Sequence, residues 1–222
     1  MEYSFWKSRW DARQIGFHQA KPNAHLQKNI ERLKERFGNR VFVPLAGKTK
    51  DIVFLLNQQC KVIAVEFVQD AILEFFQEND IPYSVTPESQ AGTGVCYEAK
   101  NLKFYAADAL QDSPPWANQF DWVFDRAALV ALDAKRRKQY AKRITQATRA
   151  GGGQLLIAFH YNPEAMQGPP FSVSNEEVQK LYGEDWEISL VESVNLMEKS
   201  PFAKGNPNAK VFEENVFILK KQ

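Results

Sequence analysis

Cysteine is nearly missing from this chain: Cys60 and Cys96 are the only two thiols in 222 residues. Two cysteines cannot build a disulfide framework, and by themselves they do not make a zinc site. No histidine or basic cluster adjoins either one, so both read as structural. A reducing cytoplasm is the simplest home for them. Histidine is almost as scarce. His18, His25 and His160 are the full set, too dispersed for a metal centre; no metal is expected, and His18 reads as a residue that holds the N-terminal segment in place. An excess of one charge is also lacking, with 28 Lys plus Arg against 27 Asp plus Glu. Bulk nucleic acid and anionic membranes both demand a basic surface, so neither is an expected partner. Long apolar runs are missing too. Nothing approaches the roughly 18 residues of a transmembrane helix. Residues 1–11 carry charges and aromatics where a secretory signal would have an apolar centre.

What is present is enough apolar material, 44% of the residues, for one substantial core and a single domain. Residues 1–25 are aromatic and polar, with Trp6 and Trp10 at the spacing of one helix face. An apolar stripe at Leu26, Ile30, Leu33 and Phe37 predicts a helix stopped by Gly38. Strands are predicted at 40–45, 61–67, 101–107, 120–124 and 154–159. Helices fall between them at 51–57, 69–78 and 133–150, the last stopping at Gly151-Gly152-Gly153. Lys135, Arg136, Arg137 and Lys138 on that helix read as a solvated face. Residues 84–98, with Pro87, Gly92 and Gly94, read as a loop or ragged hairpin, and Pro114-Pro115 as a break. A helix at 175–182 precedes two final strands, 186–194 and 211–219. Strands alternating with helices mean a mostly parallel sheet covered on both faces. The last two strands lack a helix between them and can pair as an antiparallel hairpin. Five alternating strands plus a terminal hairpin is the order of the class I methyltransferase (Rossmann-like) α/β fold, with seven strands.

In open α/β sheets ligands bind outside the carboxyl ends of the strands. Leu45, Ala46 and Gly47 end the first strand, Glu66 the second, Asp108 and Ala109 follow the third, and Asp125 and Arg126 end the fourth. Gly47 permits close approach or positive φ at the first turn. The fuller G-x-G-x-x-G loop of a dinucleotide site is absent, which suits a ligand with no pyrophosphate. Glu66, 19 residues beyond Gly47, is placed to accept from ribose hydroxyls. Asp108, with the Ala109 backbone beside it, is placed to receive an adenine amino group. Single acids at these ends fit S-adenosylmethionine better than a nicotinamide dinucleotide.

Several segments then carry a specific resemblance. They are Phe5-Trp6-x-x-x-Trp10, Ile15-Gly16-Phe17-His18-Gln19, Val43-Pro44-Leu45-x-Gly47-Lys48, Val65-Glu66, Phe124-Asp125-Arg126-Ala127-Ala128-Leu129, and Gly168-Pro169-Pro170-Phe171-Ser172-Val173. In that order and together, the chain resembles the bacterial-type thiopurine S-methyltransferase family. The resemblance implies S-adenosylmethionine as methyl donor and a sulfur, selenium or tellurium acceptor. It places Trp6, Trp10, Leu45, Gly47, Glu66 and Arg126 at the donor site, and Asp108 and Ala109 on its adenine side. Phe17, Arg126, Pro169 and Pro170 fall on the acceptor side, with Arg126 as the catalytic residue. Aromatics in a polar segment with little core of its own make residues 1–25 an expected mobile cover over the donor, and a cytoplasmic monomer engaged in detoxification is the expected setting. Two departures stand out: Ala46 where Cys is common, and His160-Tyr161-Asn162 where Glu-Tyr-Asp is usual. The second bears on acceptor preference.

Other readings remain open at this point. A small-thiol or halide methyltransferase shares the features, and so does a non-catalytic domain that binds the donor. The Pro-Pro-aromatic triplet resembles the motif of nucleic-acid base methyltransferases. That motif follows strand four, however, and here Pro169-Pro170 follows strand five.

Overall fold

The computed structural model describes residues 3–87, 94–110, 117–162 and 164–222. Gly92, Pro114-Pro115 and the first two residues of the expected cover lie outside that set. Among the described residues, nine strands form one sheet in the order β3-β4-β5-β2-β1-β6-β7-β9-β8. The parallel centre consists of β1 (Arg40–Pro44), β2 (Lys61–Glu66), β5 (Leu102–Ala106), β6 (Phe120–Arg126) and β7 (Thr148–Tyr161). The final pair, β8 (Trp186–Asn195) and β9 (Phe212–Lys221), is antiparallel as expected, with β9 inserted between β7 and β8. Around the sheet lie α1 (Tyr3–Asp11), α2 (Ala24–Phe37), α3 (Lys50–Asn57), α4 (Gln69–Glu78), α5 (Ala134–Ala147) and α6 (Asn175–Tyr182).

The central strands are buried on both sides, which is why they read as continuous apolar runs. Phe42, Val123 and Leu156 join one core cluster with α5 and α6. Val41, Trp122 and Leu155 join another with α2, α3 and α4. Alternate residues of one strand therefore serve opposite layers. The order β5-β2-β1-β6-β7 reverses direction between β1 and β6, and the carboxyl ends of those two strands open the ligand crevice.

Three expectations need correction. The sheet has nine strands, not seven, because the hairpin alternative for residues 84–98 holds and its strands join the sheet as β3 (Ser84–Pro87) and β4 (Val95–Ala99), both antiparallel. β3 is exposed along its length, so it lacks the buried apolar pattern that marks a strand. The long basic helix ends at Ala147, not Ala150, and the glycine triplet lies inside β7. A side chain at Gly153 would strike the Phe37 ring at 2.4 Å, and one at Gly152 would strike Thr148 and the Asp121 carbonyl. Gly153 therefore marks close packing of α2 on the strand, and Gly152 close packing against β6, rather than a helix stop. Arg137, read as solvated, is buried. It donates to the Leu132 carbonyl and to Glu177 at 2.7 Å, which joins α5 to α6.

The turns at the site end are locally determined. Thr49 caps α3 by accepting from the Asp51 amide, and Asn23 caps α2 by accepting from His25 and Leu26. Asn23 also donates its own amide to the Asp51 carboxylate at 2.6 Å, tying α2 to α3. Leu45, Gly47 and Ala127 all have positive φ, of 48°, 54° and 61°. Left-handed non-glycine residues are uncommon and cost on the order of 1–2 kcal/mol. Leu45 and Ala127 sit at the ends of β1 and β6, where sharp turns open the crevice.

Candidate active site

A cavity of about 450 Å³ lies at the carboxyl ends of β1, β2 and β6, within the range of small-molecule sites. Trp6, Trp10, Leu45, Gly47, Glu66, Arg126, Phe17, Pro169 and Pro170 all line it. Asp108 and Ala109 do not. They line a smaller recess that shares Leu45, Glu66 and Phe67 with the cavity. Asp108 is exposed and accepts from the Leu110 amide at 2.9 Å, capping its own turn.

Glu66 is only 6% exposed and ends β2. One carboxylate oxygen accepts from the Gly47 amide and the other from the Val68 amide, each at 2.9 Å. Each oxygen retains a lone pair for a ligand hydroxyl. Burial pushes the Glu66 pKa up to about 7, against the pull of the backbone amides.

Gly47 lies directly beneath Trp10. A side chain there would meet the indole at 3.1 Å, and the φ of +54° already disfavours one. Trp10 is almost fully buried. It meets Phe17 edge-on at 5.7 Å, and Trp6 meets Phe17 at 5.6 Å. The Trp6 indole nitrogen is buried with no hydrogen-bond partner among the described residues. A buried donor left unmet is costly, and an acceptor atom of a bound ligand would relieve it.

Asp125 and Arg126 are neighbours in sequence but point apart. Asp125 is fully buried and accepts from the Leu129 amide, the Tyr140 hydroxyl and the Gln154 amide. The strand alternation turns Arg126 to the cavity, where its guanidinium donates to the Phe17 carbonyl at 2.7 Å. Burial lowers the Arg126 pKa, opposed by the carboxylates of Asp51 and Glu214. Pro169 and Pro170 are both preceded by cis peptide bonds. The Pro170 carbonyl accepts from the Tyr161 hydroxyl, and the Phe171 amide donates to the Val130 carbonyl, which holds this segment against β7 and the turn after β6.

The N-terminal segment is fastened to α4 by charge. Lys7 pairs with Asp70, and Arg13 with Glu74. Lys48, from the cavity wall, reaches both Glu74 and Glu78. Burial opposes the Lys48 charge, but the two carboxylates outweigh it and raise its pKa.

Sequence reasoning missed Arg9, Lys48, Thr49, Asp51, Phe202 and the exposure of His18 to the cavity. Lys48, Thr49 and Asp51 carried a usable signal, since they follow Gly47 directly at a strand end. Phe202 sits in the connection before β9, and nothing local in the sequence links it to the site. Among the described residues no group of three or more histidine, cysteine or acidic side chains could hold a metal ion, and no helix is long and apolar enough to cross a membrane.

Solved structures that resemble this one include methyltransferases. A didemethyltoxoflavin N1-methyltransferase from Burkholderia thailandensis, bound to its substrate and S-adenosylhomocysteine, superposes with a TM-score of 0.60. It is 17% identical, over 99% of this chain and 86% of that one. A TehB-like methyltransferase from Corynebacterium glutamicum gives 0.59 at 13% identity, over 99% and 97% of the two chains. The fold is thus that of the class I S-adenosylmethionine-dependent methyltransferases. More particularly, the chain belongs to the thiopurine S-methyltransferase family, whose model matches residues 1–222. Relatives named thiopurine S-methyltransferase include one from Marinobacter nauticus, 36% identical over the whole of both chains. Another, from Psychrobacter cryohalolentis, is 34% identical, again over both full lengths. A third, from Xanthobacter autotrophicus, is 39% identical over 87% of this chain and 89% of its own.

Two of the buried acids, Asp125 and Glu66, give a pH signature. Burial pushes Asp125 up to about 6 and Glu66 up to about 7. An acid with a raised folded pKa holds a proton that the unfolded chain has released, so its contribution to stability falls as pH rises through that window. Without ligand, unfolding free energy is expected to drop between about pH 4.5 and 7. Glu66 accounts for on the order of 2–3 kcal/mol of that drop. Denaturant unfolding at several pH values should show a flatter slope for Glu66→Gln. Identical slopes for variant and parent would contradict this assignment.

Proposed function

We propose that this chain transfers a methyl group from S-adenosylmethionine to the sulfur of thiopurines and of aromatic or heterocyclic thiols. One observation carries the reading. The residues expected around the donor (Trp10, Leu45, Gly47, Glu66) and those expected around the acceptor (Phe17, Arg126, Pro169, Pro170) line a single cavity. The names of the full-length relatives support the same acceptor class.

The donor supplies an electrophilic methyl group on a sulfonium. Glu66 holds ribose hydroxyls, and the Gly47 turn lets the backbone approach closely. Asp108 and Ala109 serve the adenine end through the recess beyond Leu45. Trp6 and Trp10 close over the site and exclude water. Phe17 and the Pro169-Pro170 pair form the walls for a flat acceptor. Methyl transfer to sulfur is an in-line displacement that needs alignment more than acid or base strength. Arg126 stabilises a thiolate or an electron-rich ring nitrogen with a planar, permanently charged fork. Its bond to the Phe17 carbonyl also anchors the N-terminal segment over the cavity.

Selenium and tellurium species fall within the same reading, since their nucleophilic atoms are larger relatives of sulfur. Detoxification in the cytoplasm by a monomer of one domain, residues 1–222, is the setting we assign. A methyl-transfer assay against a mercaptopurine, thiophenol, selenite, tellurite, halide and RNA tests the acceptor class. The thiols should be the fastest acceptors. Faster turnover of halide, or of RNA, would replace this reading with another.

Residues 1–25 act as the cover. They hold few core residues of their own beyond Trp10, and besides the Arg126 bond to Phe17 they are pinned by solvent-exposed ion pairs that contribute little. A segment held that weakly opens readily. Adding S-adenosylhomocysteine should slow proteolytic cleavage within residues 3–22 by about tenfold or more. Equal cleavage with and without it would rule out a ligand-stabilised cover.

A further inference from the structure

His18 was read from sequence as a structural residue, and the structure gives it a different position. It lines the cavity together with Arg126, Pro169 and Pro170. Its amide closes a turn onto the Ile15 carbonyl at 2.8 Å. The adjoining Phe17 carbonyl accepts from the Arg126 guanidinium. Arg126 therefore grips the peptide that carries His18, and the imidazole and guanidinium belong to one small constellation.

The imidazole itself is free to act. Neither ring nitrogen of His18 has a hydrogen-bond partner among the described residues, and the side chain is half-buried rather than sealed. His25 differs sharply, since its two ring nitrogens are held by Glu192 and Glu214 at 3.3 and 2.9 Å. His160 does not line the cavity. The charged groups that act on His18 are Lys48, Glu78, Lys50 and Arg126, together with Asp51, Glu78 opposing the cations. Burial first, and then Lys48, lower the His18 pKa, so the neutral, proton-accepting form prevails at neutral pH.

We propose that His18 is the proton acceptor for thiols that reach the cavity un-ionised, an inference that rests on the methyl-transfer reading above. The S–H bond breaks as a ring nitrogen takes the proton, and the electron pair remains on sulfur beside Arg126. That pair forms the new S–CH₃ bond while the bond from the methyl to the donor sulfonium breaks, its pair staying on the donor sulfur. The imidazolium, among three cations and partly open to solvent, then loses its proton to water. Arg126 holds the anion and His18 disposes of the proton. Neither role can be exchanged, because a guanidinium cannot act as a base near neutral pH.

The size of the effect follows from acid–base equilibrium. A thiol of pKa ~8.5 is only ~3% thiolate at pH 7. A base in the site can therefore raise its rate by at most about thirtyfold, and by very little for a thiol that is already ionised. His18→Gln and His18→Ala are to be assayed at pH 7 on aryl and alkyl thiols of graded acidity. The rate loss should grow with thiol pKa and approach thirtyfold at the weakly acidic end. The pH profile gives a second readout: on a weakly acidic thiol the parent's rate should fall as pH drops through the His18 pKa, which lies below the ordinary imidazole value, and both variants should lack that inflection. S-adenosylhomocysteine affinity within a few-fold of the parent certifies the fold of each variant. A loss equal across the whole series, or no loss at all, would overturn the role. Failure of the parent to methylate any thiol would instead overturn the underlying function.

Discussion

Replacing Arg126 by alanine is expected to cut methyl transfer to an acidic aromatic thiol by about a hundredfold, a loss of about 2.7 kcal/mol in transition-state stabilisation. The expectation rests on position. β6 carries Asp125 into the core and turns Arg126 to the cavity, so no ion pair between the two neighbours competes for the guanidinium. One of its nitrogens holds the Phe17 carbonyl, and the rest of the fork remains for an anionic sulfur or a ring nitrogen. Arg126→Lys should recover part of the loss, because the charge survives while the planar fork does not. Part of the alanine effect will come through the cover, since the Phe17 anchor goes as well. The cleavage rate within residues 3–22 measures that part separately. Near-wild-type turnover in both variants, with the fold intact by circular dichroism, would remove Arg126 from the mechanism.

Glu66→Ala is expected to weaken S-adenosylhomocysteine binding by about ten- to hundredfold, as hydrogen bonds to a charged group contribute on the order of 1.5–3 kcal/mol. The carboxylate holds the Gly47 and Val68 amides while offering its remaining lone pairs to the ligand. Removing it also frees the turn under Trp10. A proton signature accompanies the affinity change. Burial leaves Glu66 partly protonated near pH 7, and ribose hydroxyls that donate to it favour the ionised form. Binding to the parent should therefore release protons near neutrality, seen as a dependence of the calorimetric heat on buffer ionisation enthalpy. The variant should lose both the affinity and that dependence. Unchanged affinity would sink the ribose assignment.

The parallel centre of the fold was legible in the sequence because β1, β2, β5, β6 and β7 are buried on both faces and read as apolar runs with helices between them. β3 was not legible, since an exposed edge strand has no core face to leave a pattern. The glycine triplet misled because glycine marks both helix ends and tight packing. The Phe37 ring against Gly153 and the Asp121 carbonyl against Gly152 distinguish the two. At the site, residues at strand ends could be read as a set, and Leu45, Gly47, Glu66 and Arg126 of that set line one cavity. Asp108 and Ala109 end one strand farther from the switch point and line the adjoining recess instead. Phe202 comes from a distant connection, and His18 depends on how Arg126 folds the segment 15–18 back over the sheet. Long-range contacts of this kind leave no local spacing to recognise.

The most direct test of the account follows the methyl group itself. The protein is mixed in a single turnover with S-adenosylmethionine whose methyl is fully deuterated and with thiophenol, and the products are read by mass spectrometry. The account predicts a thioether that carries the intact labelled methyl on sulfur, formed in equal amount with S-adenosylhomocysteine and strongly reduced in Arg126→Ala. Donor bound in the cavity with no labelled thioether, from this acceptor or from a mercaptopurine, would contradict it.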